Sequence, residues 1–223
     1  MWCWMSSDLK YIGQKLIHVV ALMLLISLPV WVIRYDVLEL KNNIPEQSAT
    51  EYMEQCLLFA TMLCYGYIGY QSKQYRKTFY LISAFFTCML IRELDSFFDK
   101  TVHHGFWVIP ALVTAFSAIS YALSDRKNTI INLKQFMANK HFPVLVLGLA
   151  ILFVFSRLLG MGSFWHQIMG DAFMRVVKNI AEESTELLGY TVIFYASVNY
   201  LFFYLNILNN KQSCYRNNTI IKS

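Results

Sequence analysis

The segment FYLISAFFTCMLIRELDSFFDKTVHH, residues 79–104, passes from an apolar run into a cluster of ionisable side chains. The run from Phe79 to Leu90 carries no charge and has the composition of a membrane helix. An arginine and several carboxylates at the end of such a helix cost free energy unless they pair, face a water-filled cavity or reach the surface. The segment therefore predicts a membrane helix that ends in a polar site, to which other segments must bring partners.

The composition of the whole chain also favours a membrane protein. Of its 223 residues, 57% are hydrophobic and 15% are charged, against about 45–50% and about 25% in ordinary soluble domains. The apolar residues form blocks close to the length of about 20 residues that a membrane-spanning helix needs. We therefore predict an all-α, polytopic membrane helical bundle that forms one domain over residues 1–223. Its six predicted transmembrane helices cover residues 16–33, 51–70, 78–98, 105–123, 142–160 and 186–207.

The charges of the loops predict the orientation of this bundle. Six spans place the N-terminus, residues 71–77, residues 124–141 and the C-terminal tail on one side, which then carries 12 basic and 2 acidic residues. Because Lys and Arg accumulate on the cytoplasmic side of membrane proteins, we expect both termini in the cytoplasm. The protein is then a multi-pass plasma-membrane protein, or an inner-membrane protein in a bacterium. This topology accounts for the net charge of +5, and no nucleic-acid partner is expected.

The charged end of the third predicted span has helical spacing. Arg92, Asp95 and Asp99 stand at i, i+3 and i+7 and share one face, with Glu93 about a quarter turn away. If the helix continues past residue 99, His103 extends the row by a further i+4 step. At about 1.5 Å per residue, Arg92 lies on the order of 9 Å inside the outer end of the span. We therefore expect a buried guanidinium group.

The second predicted span begins with carboxylates of its own. Glu54, Thr61 and Tyr65 lie on one helical stripe, which is too polar to face lipid and is expected to face other helices. Glu51, one turn above, also fits an ordinary surface carboxylate, because the dipole of a helix favours negative charge at its N-terminus.

The sixth predicted span carries the longest polar stripe of the chain. Before it, Asp171 is predicted to cap an amphipathic helix over residues 172–180 that lies on the outer membrane surface. The fifth span has no ionisable side chain before Arg157 and is interpreted as scaffold. The stripe of the sixth span is expected to face the bundle interior and comprises Glu186, Tyr190, Ser197, Tyr200 and Tyr204, with Glu182 and Glu183 above it.

Three spans thus bring carboxylates to the outer edge of the bilayer, where we predict a shared acidic pocket. Carboxylates with a few imidazoles suit hard or borderline divalent metal ions. The predicted core of the site consists of Glu54, Arg92, Glu93, Asp95, Glu183 and Glu186. The predicted metal ligands are Asp95, Asp99, His103, Glu183 and Glu186.

A metal-assisted membrane enzyme is the first functional hypothesis. A divalent ion at this depth would activate water or polarise an ester or phosphoryl group, so a lipid or lipid-like molecule of the surrounding bilayer is the expected substrate. The sequence contains neither an HExxH motif nor an ExxH pair. The residue pattern therefore indicates the site and the ion class but no particular reaction.

Two alternatives remain open at this point. A small proton-coupled transporter would use intramembrane acids and tyrosines to relay protons, although an inverted repeat would place one acidic group on the inner side. A structural, accessory or sensory protein would use the same polar network only to fix the packing of its helices.

Overall fold

A computed structural model describes the backbone of residues 2–39 and 48–220 and the side chains of residues 8–39 and 48–208. All regular secondary structure in these ranges is helical, which confirms the predicted all-α class. The α-helices are α1 (Trp2–Arg34), α2 (Ala49–Gln71), α3 (Arg76–Glu93), α4 (Asp95–Thr101), α5 (Val108–Leu123), α6 (Arg126–Met137), α7 (Phe142–Ala150), α8 (Ser156–Leu159), α9 (Gly162–Met169) and α10 (Arg175–Ile220). A π-helical turn, Tyr35–Glu39, extends α1, and a second, Ile151–Phe155, joins α7 to α8.

Within the described residues, three helical segments are long and apolar enough to cross a membrane. They are Asp8–Glu39, Phe142–Leu159 and Arg175–Leu208. A fourth is obtained if α5 and α6 form one broken span, although their axes meet at 106°. The predicted spans 51–70 and 78–98 do form α2 and α3, but their polar content places both helices outside this set.

The third predicted span is shorter than its sequence suggested. The N–H of Leu94 donates to the carbonyl of Leu90 and closes α3, and a separate short helix starts at Asp95. The prediction of one helix over residues 78–98 is therefore wrong at its outer end. Side chains before and after Leu94 do not follow a single helical face.

The sixth predicted span is longer than expected. Helix α10 begins at Arg175 and runs without a break through the predicted surface helix and the predicted span. Asp171 is not its N-cap, because Asp171 lies in a 3-10 turn, Gly170–Ala172, that ends before α10 begins at Arg175. The predicted amphipathic segment is thus the first part of α10 and forms no separate helix.

Asp36, in the turn that follows α1, fixes the start of α2. Its buried carboxylate accepts hydrogen bonds from the backbone N–H of Ala49 (3.0 Å) and of Thr50 (2.8 Å) and from the Thr50 hydroxyl. Ser48 caps the same helix by accepting from the N–H of Glu51. The first N–H groups of a helix lack partners within it, so these acceptors hold the turn of α2 that carries Glu54.

The core lies where α2, α3 and α10 pack together. Tyr65 is fully buried and stacks on Phe86, with ring centroids 5.5 Å apart. Phe136 of α6 meets Tyr200 of α10 at 4.9 Å in a T-shaped contact. The buried hydroxyls of Ser197 and Tyr65 lie 3.1 Å apart and form a hydrogen bond between α10 and α2. Aromatic packing therefore sets the positions of the three helices that carry the acidic side chains.

Helix α7 approaches α10 through two glycines. A Cβ atom on Gly148 would lie 2.9 Å from the Ile193 backbone nitrogen and 3.1 Å from the Gly189 carbonyl oxygen. A Cβ atom on Gly189 would lie 3.2 Å from the Gly148 carbonyl oxygen. Small residues allow helix backbones to approach this closely, so the pair sets the distance between α7 and α10.

We expect the substitution Gly148→Ala to lower the free energy of unfolding by about 1–3 kcal/mol, because the added methyl group overpacks a backbone contact. Thermal unfolding in mild detergent measures the change. Gly13→Ala is the matched control, since nothing lies within 4 Å of its added methyl group, and its stability is expected to stay the same or rise slightly. Equal behaviour of the two variants would contradict the close contact.

Candidate functional site

A cavity of about 360 Å³ opens at one end of the bundle. It is enclosed by the first turns of α2, the junction between α3 and α4, the helix α8 and the first turns of α10. Seven carboxylates and three basic side chains face it among the described residues. Its lining comprises Ser48, Glu51, Glu54, Arg92, Glu93, Asp95, Arg157, Lys178, Asn179, Glu182, Glu183 and Glu186.

Three glutamates from three helices meet in this cavity. Glu54, Glu93 and Glu186 each place one carboxylate oxygen within 4.8 Å of the other two. Glu54 is the most deeply buried of them, with 1% of its surface exposed. Its Oε1 atom has no hydrogen-bond partner among the described residues. Buried polar atoms nearly always have a partner, so this oxygen points to a ligand that the polypeptide does not supply.

Glu93 is held in place by hydrogen bonding from two helices. The hydroxyl of Tyr190, which is almost fully buried in α10, donates to Glu93 Oε1 at 2.8 Å. The guanidinium of Arg92 lies 3.3 Å from the same oxygen. Gln55 of α2 donates to the Glu93 backbone carbonyl at 3.3 Å. These contacts fix the end of α3 against α2 and α10.

Glu186 is paired with an arginine from the opposite wall. Arg157 Nη2 lies 2.8 Å from Glu186 Oε1, and Arg157 Nη1 lies 3.8 Å from Glu182 Oε1. Lys178, one turn before Glu182, lies 2.7 Å from its second carboxylate oxygen. The acidic cavity therefore has a basic edge along α8 and the start of α10.

The structure brings together all six residues of the predicted core. Glu54, Arg92, Glu93, Asp95, Glu183 and Glu186 line the same cavity. The roles of these residues in catalysis or in metal binding stay predictions.

Asp99 and His103, the remaining predicted metal ligands, are not among the residues that line the cavity. Because α3 ends at Glu93, Asp99 lies on the separate helix α4. It accepts hydrogen bonds from His104 Nδ1 (2.6 Å) and the Gly105 N–H (3.0 Å), and these donors lower the pKa of its carboxyl group. His103 Nδ1 contacts the carbonyl of His104. The two predicted ligands thus belong to a turn outside the cavity.

The expectation of a buried Arg92 is wrong, because 40% of its side chain is exposed. The sequence reasoning also missed Arg157 and Lys178 as site residues. Arg157 ends an apolar run in the same way as Arg92, which is a signal for a polar partner. Lys178 precedes Glu182 by four residues, a spacing that predicts an ion pair on a helix.

Comparisons of the chain with known protein families, with curated proteins and with solved structures give no significant match. The described lining contains carboxylates but no imidazole or thiol group. Oxygen ligands of this kind suit hard cations such as Mg²⁺, Ca²⁺ or Mn²⁺.

The two arginines of the cavity are expected to differ in their effect on stability. Arg157→Leu leaves Glu186, whose side chain is 8% exposed, without its charged partner, so we expect a loss of about 1–3 kcal/mol. Arg92→Leu is the matched control, because Glu93 keeps the hydrogen bond from the Tyr190 hydroxyl, so we expect a smaller loss of about 0–1 kcal/mol.

Thermal unfolding of both variants in the same detergent measures this difference. In the double variant Arg157→Leu, Glu186→Leu, stability is expected to recover, because the carboxylate that lost its charged partner is removed as well. A greater loss for Arg92→Leu than for Arg157→Leu would contradict the assignment of the ion pairs.

Proposed function

We propose that this chain is a multi-pass membrane protein that binds a divalent cation and uses it to hydrolyse an ester or phosphoester bond of a lipid-like molecule. The observation that carries the proposal is the buried oxygen of Glu54. It lies beside the carboxylates of Glu93 and Glu186 and has no partner within the described chain.

The spacing of the three glutamates supports a shared cation. Like charges this close together repel, and a cation or shared protons must offset the repulsion. Two metal–oxygen bonds of about 2.3–2.6 Å span at most about 5 Å, which accommodates carboxylate oxygens within 4.8 Å of one another. A cation that is held by Glu54, Glu93 and Glu186 would also satisfy the buried oxygen of Glu54.

The remaining carboxylates of the cavity provide the proton transfers that hydrolysis needs. A bound divalent ion supplies polarisation of the scissile group and of water. In the proposed reaction, the water oxygen bonds to the acyl or phosphoryl centre, and Glu183 accepts its proton. The bond to the alcohol breaks, and the alcohol leaves with that proton. Asp95 lines the same cavity and orients the attacking water.

Binding of Mn²⁺ to purified protein in detergent tests the cation site, with electron paramagnetic resonance and thermal unfolding as readouts. At a concentration about a hundredfold above its dissociation constant, a ligand stabilises the folded state by about 2.7 kcal/mol. We expect this stabilisation in the unsubstituted protein and its loss in Glu54→Gln. Glu39→Gln is the matched control, because Glu39 is an exposed acid outside the cavity lining.

The same preparations test the reaction with fluorescent ester and phosphoester lipids as substrates. Turnover that needs Mn²⁺ and is lost in Glu54→Gln and Glu183→Gln supports the proposal. Thermal stability that changes with neither Mn²⁺ nor chelators would contradict the proposal.

A structural role is the second candidate, and the ion pairs between helices favour it. Arg157 connects α8 to the carboxylates of α10, and Glu93 connects α3 to Tyr190. Such a network fixes helix packing without chemistry. On this account, Glu54→Gln raises stability in the absence of metal by removing a repelling charge, and Mn²⁺ has no effect on any variant.

We further propose that six helices cross the plasma membrane, with both termini in the cytoplasm and the cavity at the outer face. The charge distribution of the loops supports this orientation. Helix α2 has 23 residues and is about 34 Å long at 1.5 Å per residue, enough for a bilayer core of about 30 Å. Its packing against α3 and α10 shields the polar side chains of these inner helices from lipid.

Labelling of single cysteines with a membrane-impermeant maleimide tests this orientation. In a variant that lacks the native cysteines, Ser163→Cys in α9 is expected to react in intact cells. Lys73→Cys, in the turn between α2 and α3, is expected to react only after permeabilisation. Both positions are exposed in the structure, so the reverse pattern would place the cavity on the cytoplasmic side.

A further inference from the structure

An apolar cleft of about 470 Å³ lies beside the acidic cavity. It is formed where the apolar segment Phe142–Leu159 ends and the chain turns into α9. Its described lining comprises Leu158, Leu159, Met161, Ser163, Phe164 and Gln167. The cleft is therefore at the level where the predicted fifth span leaves the hydrocarbon.

The cleft and the cavity share one turn of backbone. Arg157 lines the cavity, and the next two residues, Leu158 and Leu159, line the cleft. Gly160 closes this turn, and the Glu182 carboxylate packs so closely on it that an added Cβ atom would clash with it. A molecule in the cleft would thus contact the same turn of backbone that carries Arg157.

Helix α9 gives the cleft an apolar outer rim. Phe164 and Ile168 are 43% and 61% exposed, and the indole N–H of Trp165 donates to the Leu159 carbonyl, which ties α9 to the end of α8. Short apolar helices with tryptophan lie at the membrane interface. Such a rim is suited to an alkyl chain that enters from the bilayer.

Two basic side chains lie at the junction of the cleft and the cavity. Arg157 is paired with Glu186 and Glu182, yet 44% of its side chain is exposed, and a guanidinium carries five N–H donors in a planar fork. Lys178 adds a second positive charge beside Glu182. Guanidinium groups bind phosphate through paired, charge-assisted hydrogen bonds.

We infer that the site takes a lipid with a phosphate-bearing headgroup, whose acyl chain lies in the cleft of α8 and α9 and whose phosphate binds Arg157. This inference rests on the proposed function and names the substrate class of the same site. Neutral lipids lack the anion that the basic edge recognises, and free phosphate lacks the chain that the cleft accepts.

Photocrosslinking in nanodiscs tests the inference, with a phosphatidic acid that carries a diazirine on its acyl chain as the probe. We expect crosslinks within residues 158–167, mapped by mass spectrometry. Unlabelled phosphatidic acid should compete for the site. Diacylglycerol, which lacks the phosphate, and inorganic phosphate, which lacks the chain, should not compete.

Three variants separate the parts of the site. Arg157→Gln is expected to weaken phosphatidic acid binding about tenfold or more, because it removes charge-assisted hydrogen bonds, while Arg157→Lys keeps the charge and part of the affinity. Leu158→Trp fills the cleft and should abolish the crosslinks without touching the ion pairs. Arg126→Gln is the matched control, because Arg126 starts α6 beyond the far end of α5.

Crosslinks at other residues, or equal competition by diacylglycerol, would overturn the inference. Mn²⁺ binding is measured in the same samples without the probe. If the protein binds Mn²⁺ but does not distinguish phosphatidic acid from diacylglycerol, only the inference about the lipid is rejected. Loss of both rejects the proposed function as well.

Discussion

Burial of a carboxylate that no other described residue satisfies is the constraint on which this structure depends. Glu54 is 1% exposed, and a buried polar group without a hydrogen-bond partner costs free energy. The cost is tolerated because α2, α3 and α10 are fixed elsewhere, by aromatic packing around Tyr65 and by the capping of α2 through Asp36. The fold therefore holds this acid beside the carboxylates of Glu93 and Glu186, in a group that can hold a metal ion.

The cavity is organised as two opposed halves. Glu54 and Glu93 lie on the side of α2 and α3, where Tyr190 provides the neutral hydrogen bond. Glu186 lies on the side of α8, where Arg157 provides the charge. Glu93 contacts Tyr190 and Arg92, Glu186 contacts Arg157, and Glu54 Oε1 has no hydrogen-bond partner among the described residues, so the three carboxylates are not equivalent.

Much of this site could be predicted from the sequence, because helical periodicity holds along unbroken helices. The stripes that place Glu54 on α2 and Glu186 on α10 are of this kind. The break at Leu94 could not be predicted, because the backbone hydrogen bonds that close α3 do not change the spacing of the charged residues in the sequence. For this reason the prediction that Asp99 faces the acidic cavity is wrong. Arg157 was missed because its partners lie on a helix distant in the chain. Only tertiary packing shows that such residues meet.

The glycine contact between α7 and α10, in the interior of the bundle, affects the ion pairs of the acidic cavity. Gly189 follows Glu186 by less than one turn of α10, and Gly148 precedes Arg157 in the segment of α7 and α8 that packs against α10. The two glycines therefore set the distance between the two helical segments, and with it the distance between the guanidinium and the carboxylate. A larger side chain at either glycine would push the two helical segments apart and separate the two charged groups. A second substitution that compensates for this change is then expected among the charged residues of the cavity, where a longer acidic or basic side chain would restore the contact.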